Sequence, residues 1–254
     1  REQRMAAQFL NHPYGIPVIG WRHEIEQLNR ADAFAFYQRY YAPNNAILVV
    51  AGDVQPADVL ALAQTNYGPV APTPDLPERL RPTEPPQLSE RRLTYSDPRV
   101  AQPYVTRTYL APERNAGDQV AAANLTMLAE LLGGNAATSV LGRKLQYDTQ
   151  QAIYASAFYD GMSLDYATFG LVMVPTPEMT LQQGEDAIDQ AIAEFLIEGV
   201  DAEQFERLKM QLRASRIYAE DNIESQARRY GSALTSGLTI ADVQAWPDIL
   251  QAVT

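Results

Sequence analysis

The chain has 254 residues, 46% of them hydrophobic, which is enough apolar surface for one large domain or two moderate ones. Its net charge of −11, with 20 basic against 31 acidic residues, argues against nucleic acid or anionic membrane as partner, because phosphate binding needs clustered Lys and Arg. No cysteine is present, so disulfides, thiolate nucleophiles and Cys-ligated metals are excluded, and no apolar run approaches the roughly 18 residues that would insert into a membrane.

In chain order, a helix ending near Leu10 leads into a Pro/Gly loop, His12–Trp21. Asn29 is a candidate N-cap for a helix from about Ala31 to Tyr41, whose Tyr37, Tyr40 and Tyr41 read as core or interface packing residues with polar tips at a rim. The apolar run Ala46–Ala51 reads as a strand buried on both faces and stopped by Gly52-Asp53, with Gln55–Asn66 as the next helix. A single strand leaves its backbone edges unpaired, so residues 1–68 are expected to be the end of a domain whose other strands lie upstream of Arg1. Prolines at 69, 72, 74, 77, 82, 85 and 86 block helix and sheet alike, and residues 69–90 read as an extended interdomain linker.

Residues 91–254 read as a complete second domain. Arg91–Ser96 and Tyr104–Leu110 read as strands. The helix Asp118–Leu132 sets Ala121, Leu125, Leu128 and Leu132 on one face and stops at Gly133-Gly134. A short helix over Ser139–Tyr147 precedes a second strand pair, Ala152–Phe158 and Thr168–Val174, rich in β-branched and aromatic residues. Thr180 with Gln183 forms a capping-box start for a helix carrying Ile188, Ile192 and Phe195. Asp201 with Gln204 starts a long helix reaching about Leu234, with Phe205, Leu208 and Leu212 on its apolar side, and a last helix from Thr239 contains Pro247. Strand pairs followed by helix pairs define the α+β class, here an antiparallel sheet packed by helices in an α/β sandwich.

The side chains offer little chemistry. Only His12 and His23 are present, and in His23-Glu24-Ile25-Glu26-Gln27 the second histidine of a zincin helix is replaced by Gln27. His12 is expected to cap or hydrogen-bond within the Asn11–Pro13 turn. Gly133-Gly134 follows a helix and lacks a succeeding Lys-Ser/Thr, so it reads as a helix terminus rather than a phosphate loop. The acidic pairs Glu24/Glu26, Glu194/Glu198 and Asp221/Glu224 read as wet helix faces.

The combination of His12-Pro13-Tyr14-Gly15-x-Pro17-Val18-Ile19-Gly20, Phe36-Tyr37-x-x-Tyr40-Tyr41-x-Pro43-Asn44-Asn45-Ala46 and Val49-Val50-x-Gly52-Asp53-Val54 resembles the end of the catalytic-half domain of pitrilysin/insulinase zinc peptidases. Leu132-Gly133-Gly134-Asn135, Ala157-Phe158-Tyr159-Asp160, Glu198-Gly199-Val200 and Asp242-Val243-Gln244-Ala245-Trp246 resemble the domain that follows it in bacterial members. The resemblance implies zinc held by an inverted H-x-x-E-H helix and a later glutamate, all ahead of His12; this chain contains no H-x-x-E-H and is expected to hold neither a catalytic residue nor the metal.

The resemblance also implies an Arg and, seven residues later, a Tyr in a non-catalytic half, orienting the substrate carbonyl. Aligned on Ala157-Phe158-Tyr159, those positions hold Gln146 and Ile153, with Arg143 and Tyr154 nearby but out of spacing. Gln146, Tyr154 and Arg143 are therefore the candidate substrate contacts, and a partner chain is expected to supply the Arg/Tyr pair. By resemblance the parent is a zinc-dependent endopeptidase in which two half-clamshells enclose an extended peptide or unfolded protein, bound by strand addition in the first domain. The alternative is a non-catalytic family-like subunit that scaffolds or binds peptides. Both imply a homo- or heterodimer; a periplasmic home is a family-level expectation.

Overall fold

A computed structural model describes residues 2–78 and 80–254, and the chain divides into two compact units. Unit 1 runs to Thr94 and includes Gln226–Gly231; unit 2 comprises Tyr95–Ser225 and Ser232–Thr254.

Unit 1 contains α1 (Glu2–Gln8), α2 (Arg22–Ile25), α3 (Arg30–Tyr40) and α4 (Pro56–Tyr67), with 3-10 turns at Pro13–Gly15 and Pro43–Asn45. Asn29 caps α3 as expected: its Oδ1 accepts from Ala31 N at 2.8 Å and Asp32 N at 3.2 Å, and Asp32 reaches back to Asn29 N at 3.3 Å. One expectation fails here. Ala46–Ala51 carries no strand pairing, and Leu48 is 56% exposed. A ladder needs a neighbouring strand's N–H and C=O groups, and none of the described residues of this unit forms one beside it. α3 buries no residue, and the exposed Tyr37 and Tyr41 pack ring against ring at 5.1 Å.

Arg91–Ser96 is likewise not a strand. Its first residue turns its guanidinium back to the carbonyls of Ala7 and Gln8, and the chain beyond it enters a turn in which Asp97 accepts from Arg99 N at 2.9 Å. These contacts replace a ladder.

Unit 2 is built on a three-stranded antiparallel sheet of β1 (Val105–Ala111), β2 (Ala152–Asp160) and β3 (Ala167–Pro175), in the order β1-β3-β2. Along β3, Ala167, Phe169, Leu171 and Met173 are buried at the two-residue spacing of one sheet face. They form the core with Ala129, Leu131 and Leu132 of α5 (Val120–Gly133) and with Ala187, Ile188, Ala191 and Phe195 of α6 (Leu181–Glu198). The buried stripe of α5 begins at Ala122, Ala123 and Met127; Ala121, expected on that face, points to solvent. Thr180 and Gln183 form the expected capping box.

The long helix expected from Asp201 to Leu234 is broken into α7 (Ala202–Glu220) and α8 (Ile223–Thr235). Asn222 causes the break, because its side chain accepts from Ser225 N at 2.8 Å and starts a new helix. α9 (Ile240–Ala252) contains Pro247 and is capped by Thr239. No helix among the described residues is long and apolar enough to cross a membrane.

Candidate functional site

Position 146 lies in a seven-residue π-helical turn, Gly142–Asp148, that enters β2 through Gln150 at φ 53°. The wide turn buries Leu141 and Leu145 in the core while Gln146 reaches the outer edge of β2. There its amide donates to Ile153 O at 3.1 Å and accepts from Ala155 N at 3.3 Å, the orientation that satisfies both groups. Ile153 is the extra residue of a β-bulge: Ala152 pairs with Pro175, but Tyr154 already pairs with Val174. The bulge lets both Ala152 and Ala155 face the core, which an unbroken two-residue alternation would forbid.

The structure thus joins positions 146 and 153, through side chain and backbone. Tyr154 is half exposed on the edge strand, and Arg143 is exposed on the π turn, where its charge helps hold the Asp201 carboxyl low after the larger effect of the Gln204 backbone N–H. Glu194 and Glu198, expected to be a merely wet pair, both accept from Lys144 Nζ, at 2.7 and 3.0 Å, and tie α6 to the same π turn. These hydrogen bonds hold the Lys144 ammonium charged and the Glu194 carboxyl low.

A second constellation lies in unit 1. Glu84, 2% exposed, accepts from three successive backbone N–H groups, Leu10 at 2.5 Å, Asn11 at 2.9 Å and His12 at 2.8 Å. Burial pushes its carboxyl up, but the three N–H bonds and the Arg91 charge outweigh that and leave it below its ordinary value. His12 caps the 3-10 turn as expected, its Nδ1 accepting from Tyr14 N at 3.2 Å, with its ring edge-on to Tyr14 at 4.3 Å. Sequence reasoning placed Glu84 in a linker and missed this role; the one acid amid Pro82, Pro85 and Pro86 was the available signal.

The residues present do not fit a zinc ion. His23 and Glu24 lie on the exposed four-residue α2, where Glu24 accepts from Trp21 N at 3.3 Å, and His12 is buried against Phe9 and Tyr14. Among the described residues no group of three His, Cys, Asp or Glu stands close enough to hold a metal. What the π turn and β2 edge can do chemically is position backbone and offer neutral amides.

Comparison with known proteins places this architecture. Residues 27–212 match the model of the peptidase M16 inactive domain, and the chain belongs to that family. It is 27% identical over 225 residues to the zinc protease PqqE of Helicobacter pylori, a match covering 86% of this chain and 48% of that one. A crystal structure of a protease from Helicobacter pylori superposes with a TM-score of 0.86 at 21% identity, over 99% of this chain and 60% of that one. The peptidase M16 inactive domain of Pseudomonas fluorescens superposes with a TM-score of 0.75 at 17% identity, over 100% of this chain and 58% of that one. The chain therefore spans about half the length of the curated relative it matches along most of its own. The α+β fold and the family expected from the sequence both hold.

Proposed function

We propose that these residues are the non-metal-binding part of an M16-type zinc-dependent endopeptidase, framing a chamber in which an extended peptide or unfolded protein is cut. The zinc belongs to residues of a longer protein outside 1–254. The observation that carries this reading is the match of residues 27–212 to the inactive-domain family, with a relative named a zinc protease over most of the chain. Peptide binding and assembly with a family-like subunit, as a homo- or heterodimer, belong to the same proposal.

One observation favours a second reading, a non-catalytic subunit that scaffolds or binds peptide. Gln146, at the position where the family resemblance expects a carbonyl-orienting Arg, has its amide hydrogen-bonded to its own strand. The sequence upstream of residue 1 separates the two: an H-x-x-E-H motif supports the peptidase and its absence sinks it. Residues 1–254 alone, incubated with zinc and an unfolded peptide, are expected to leave the peptide intact. Turnover abolished by a chelator would overturn that assignment.

A further inference from the structure

Two helices in different units open with the same arrangement. Leu28-Asn29-x-Ala31-Asp32-x-x-Ala35-Phe36 begins α3, and Leu238-Thr239-x-Ala241-Asp242-x-x-Ala245-Trp246 begins α9. Each starts with a capping box in which the aspartate at the third helical position returns to the N-cap residue. Spacing and residue type agree at the leucine before the cap, the cap, both alanines, the aspartate and the aromatic ring.

The environments differ. In unit 2 the α9 motif is buried against the segment between β1 and α5. Leu238 and Asp242 are buried, Asp242 accepts from Gly117 N at 2.9 Å, and the Arg114 guanidinium lies 3.9 Å from the Trp246 ring centroid while donating to Asp242 O at 3.1 Å. Gln119 Nε2 donates to the same carbonyl at 3.2 Å. In unit 1 Leu28 is exposed, Phe36 is 58% exposed, and Asp32 reaches only Asn29 among the described residues. Guanidinium groups already sit over neighbouring rings of α3, Arg30 at 5.7 Å from Phe34 and Arg39 at 5.5 Å from Tyr40, while among the described residues the ring contact of Phe36 is with Tyr40.

We infer that the Leu28–Asp32–Phe36 face of α3 is a docking face for an arginine-bearing loop of the same polypeptide outside residues 1–254, which stacks its guanidinium on Phe36 and gives a backbone N–H to Asp32. The Phe ring and carboxylate suit a guanidinium and an N–H donor, as the same pair does in α9. The length argues for an occupant in cis, because about half of the curated relative lies outside its match to this chain. The inference stands whether or not the parent cleaves peptides.

A photo-cross-linking phenylalanine analogue at position 36 of the full-length protein tests it. The expected result is an intramolecular adduct on a loop outside residues 1–254 that carries an arginine. An adduct to a second copy, an adduct within residues 1–254, or none overturns the inference. As a second measurement, Phe36→Ala in the full-length protein is expected to lower Tm by roughly as much as Trp246→Ala, on the order of 5 °C. An unchanged Tm overturns it, and a double-mutant cycle between Phe36→Ala and alanine at the cross-linked arginine should show coupling.

Discussion

Glu84 sets the acid response of the His12 loop. Its carboxyl is held below the ordinary 4.5, so the three N–H bonds contribute fully above that pH and are lost as pH falls through the lower folded-state value. Glu84→Gln retains the shape but not the charge, and a hydrogen-bonded charge of this kind is worth about 2 kcal/mol. The amides of Leu10, Asn11 and His12 are expected to exchange roughly 30-fold faster in the variant at pH 7. In the wild type their protection, corrected for intrinsic rate, should fall as the pH drops below 4.5.

Tyr159 gives the alkaline counterpart. Burial, then the nearby Glu113 and Asp160 charges, push its phenol up to about 12, while its hydroxyl donates to Pro112 O at 2.6 Å. The folded state keeps the proton, so this contribution is full below the ordinary 10.0 and is lost as pH rises towards 12. Subtracting the 295 nm titration of Tyr159→Phe from that of the wild type should isolate a step near 12; a step at 10 would show that the phenol is not buried in solution. Neither behaviour was legible in the sequence, because both depend on residues 47 to 74 positions apart.

At the scale of elements, what the sequence disclosed was local. The N-cap at Asn29, the capping box at Thr180, the helix start at Thr239 and the pair β2 and β3 depend on residues a few positions apart, and each appears where the spacing puts it. Ala46–Ala51 failed because strand status belongs to a pair. The single helix from Asp201 to Leu234 failed at Asp221–Asn222 because apolar periodicity runs through a capping residue without registering it. The π turn widens the helical period locally, which a 3.6-residue template cannot detect.

Gly133 was legible as a helix end, but its reason was not. A Cβ there would come within 1.8 Å of Ala157 N, so α5 approaches β2 by virtue of the missing side chain. Gly133→Ala must push helix and strand apart, at a cost of about 3 kcal/mol, visible as a lower urea midpoint with little change in slope. An unchanged midpoint would mean that the contact is looser than described.

For the molecule as a whole, the described residues between α4 and β1 form neither helix nor strand. Leu80 and Leu88 there are 90% and 94% exposed. Limited digestion with a protease that cuts after leucine should cleave at these two positions first and leave a resistant fragment beginning near unit 2. First cuts inside α5 or β3 would contradict the partition. The candidate site was legible only as a vacancy in a pattern: Gln146 and Ile153 stood where the resemblance expected Arg and Tyr, while the bulge and π turn that join them needed the fold.

The same join governs how the sheet can grow. Gln146 takes two outward-facing groups of β2 and Gly133 presses on a third at Ala157, whereas β1 has no strand on its other side among the described residues. A sheet sealed on one flank can add strands in one direction only. Backbone pairing with a further strand is therefore open along β1 and obstructed where Gln146 and Gly133 meet β2 between Ile153 and Ala157.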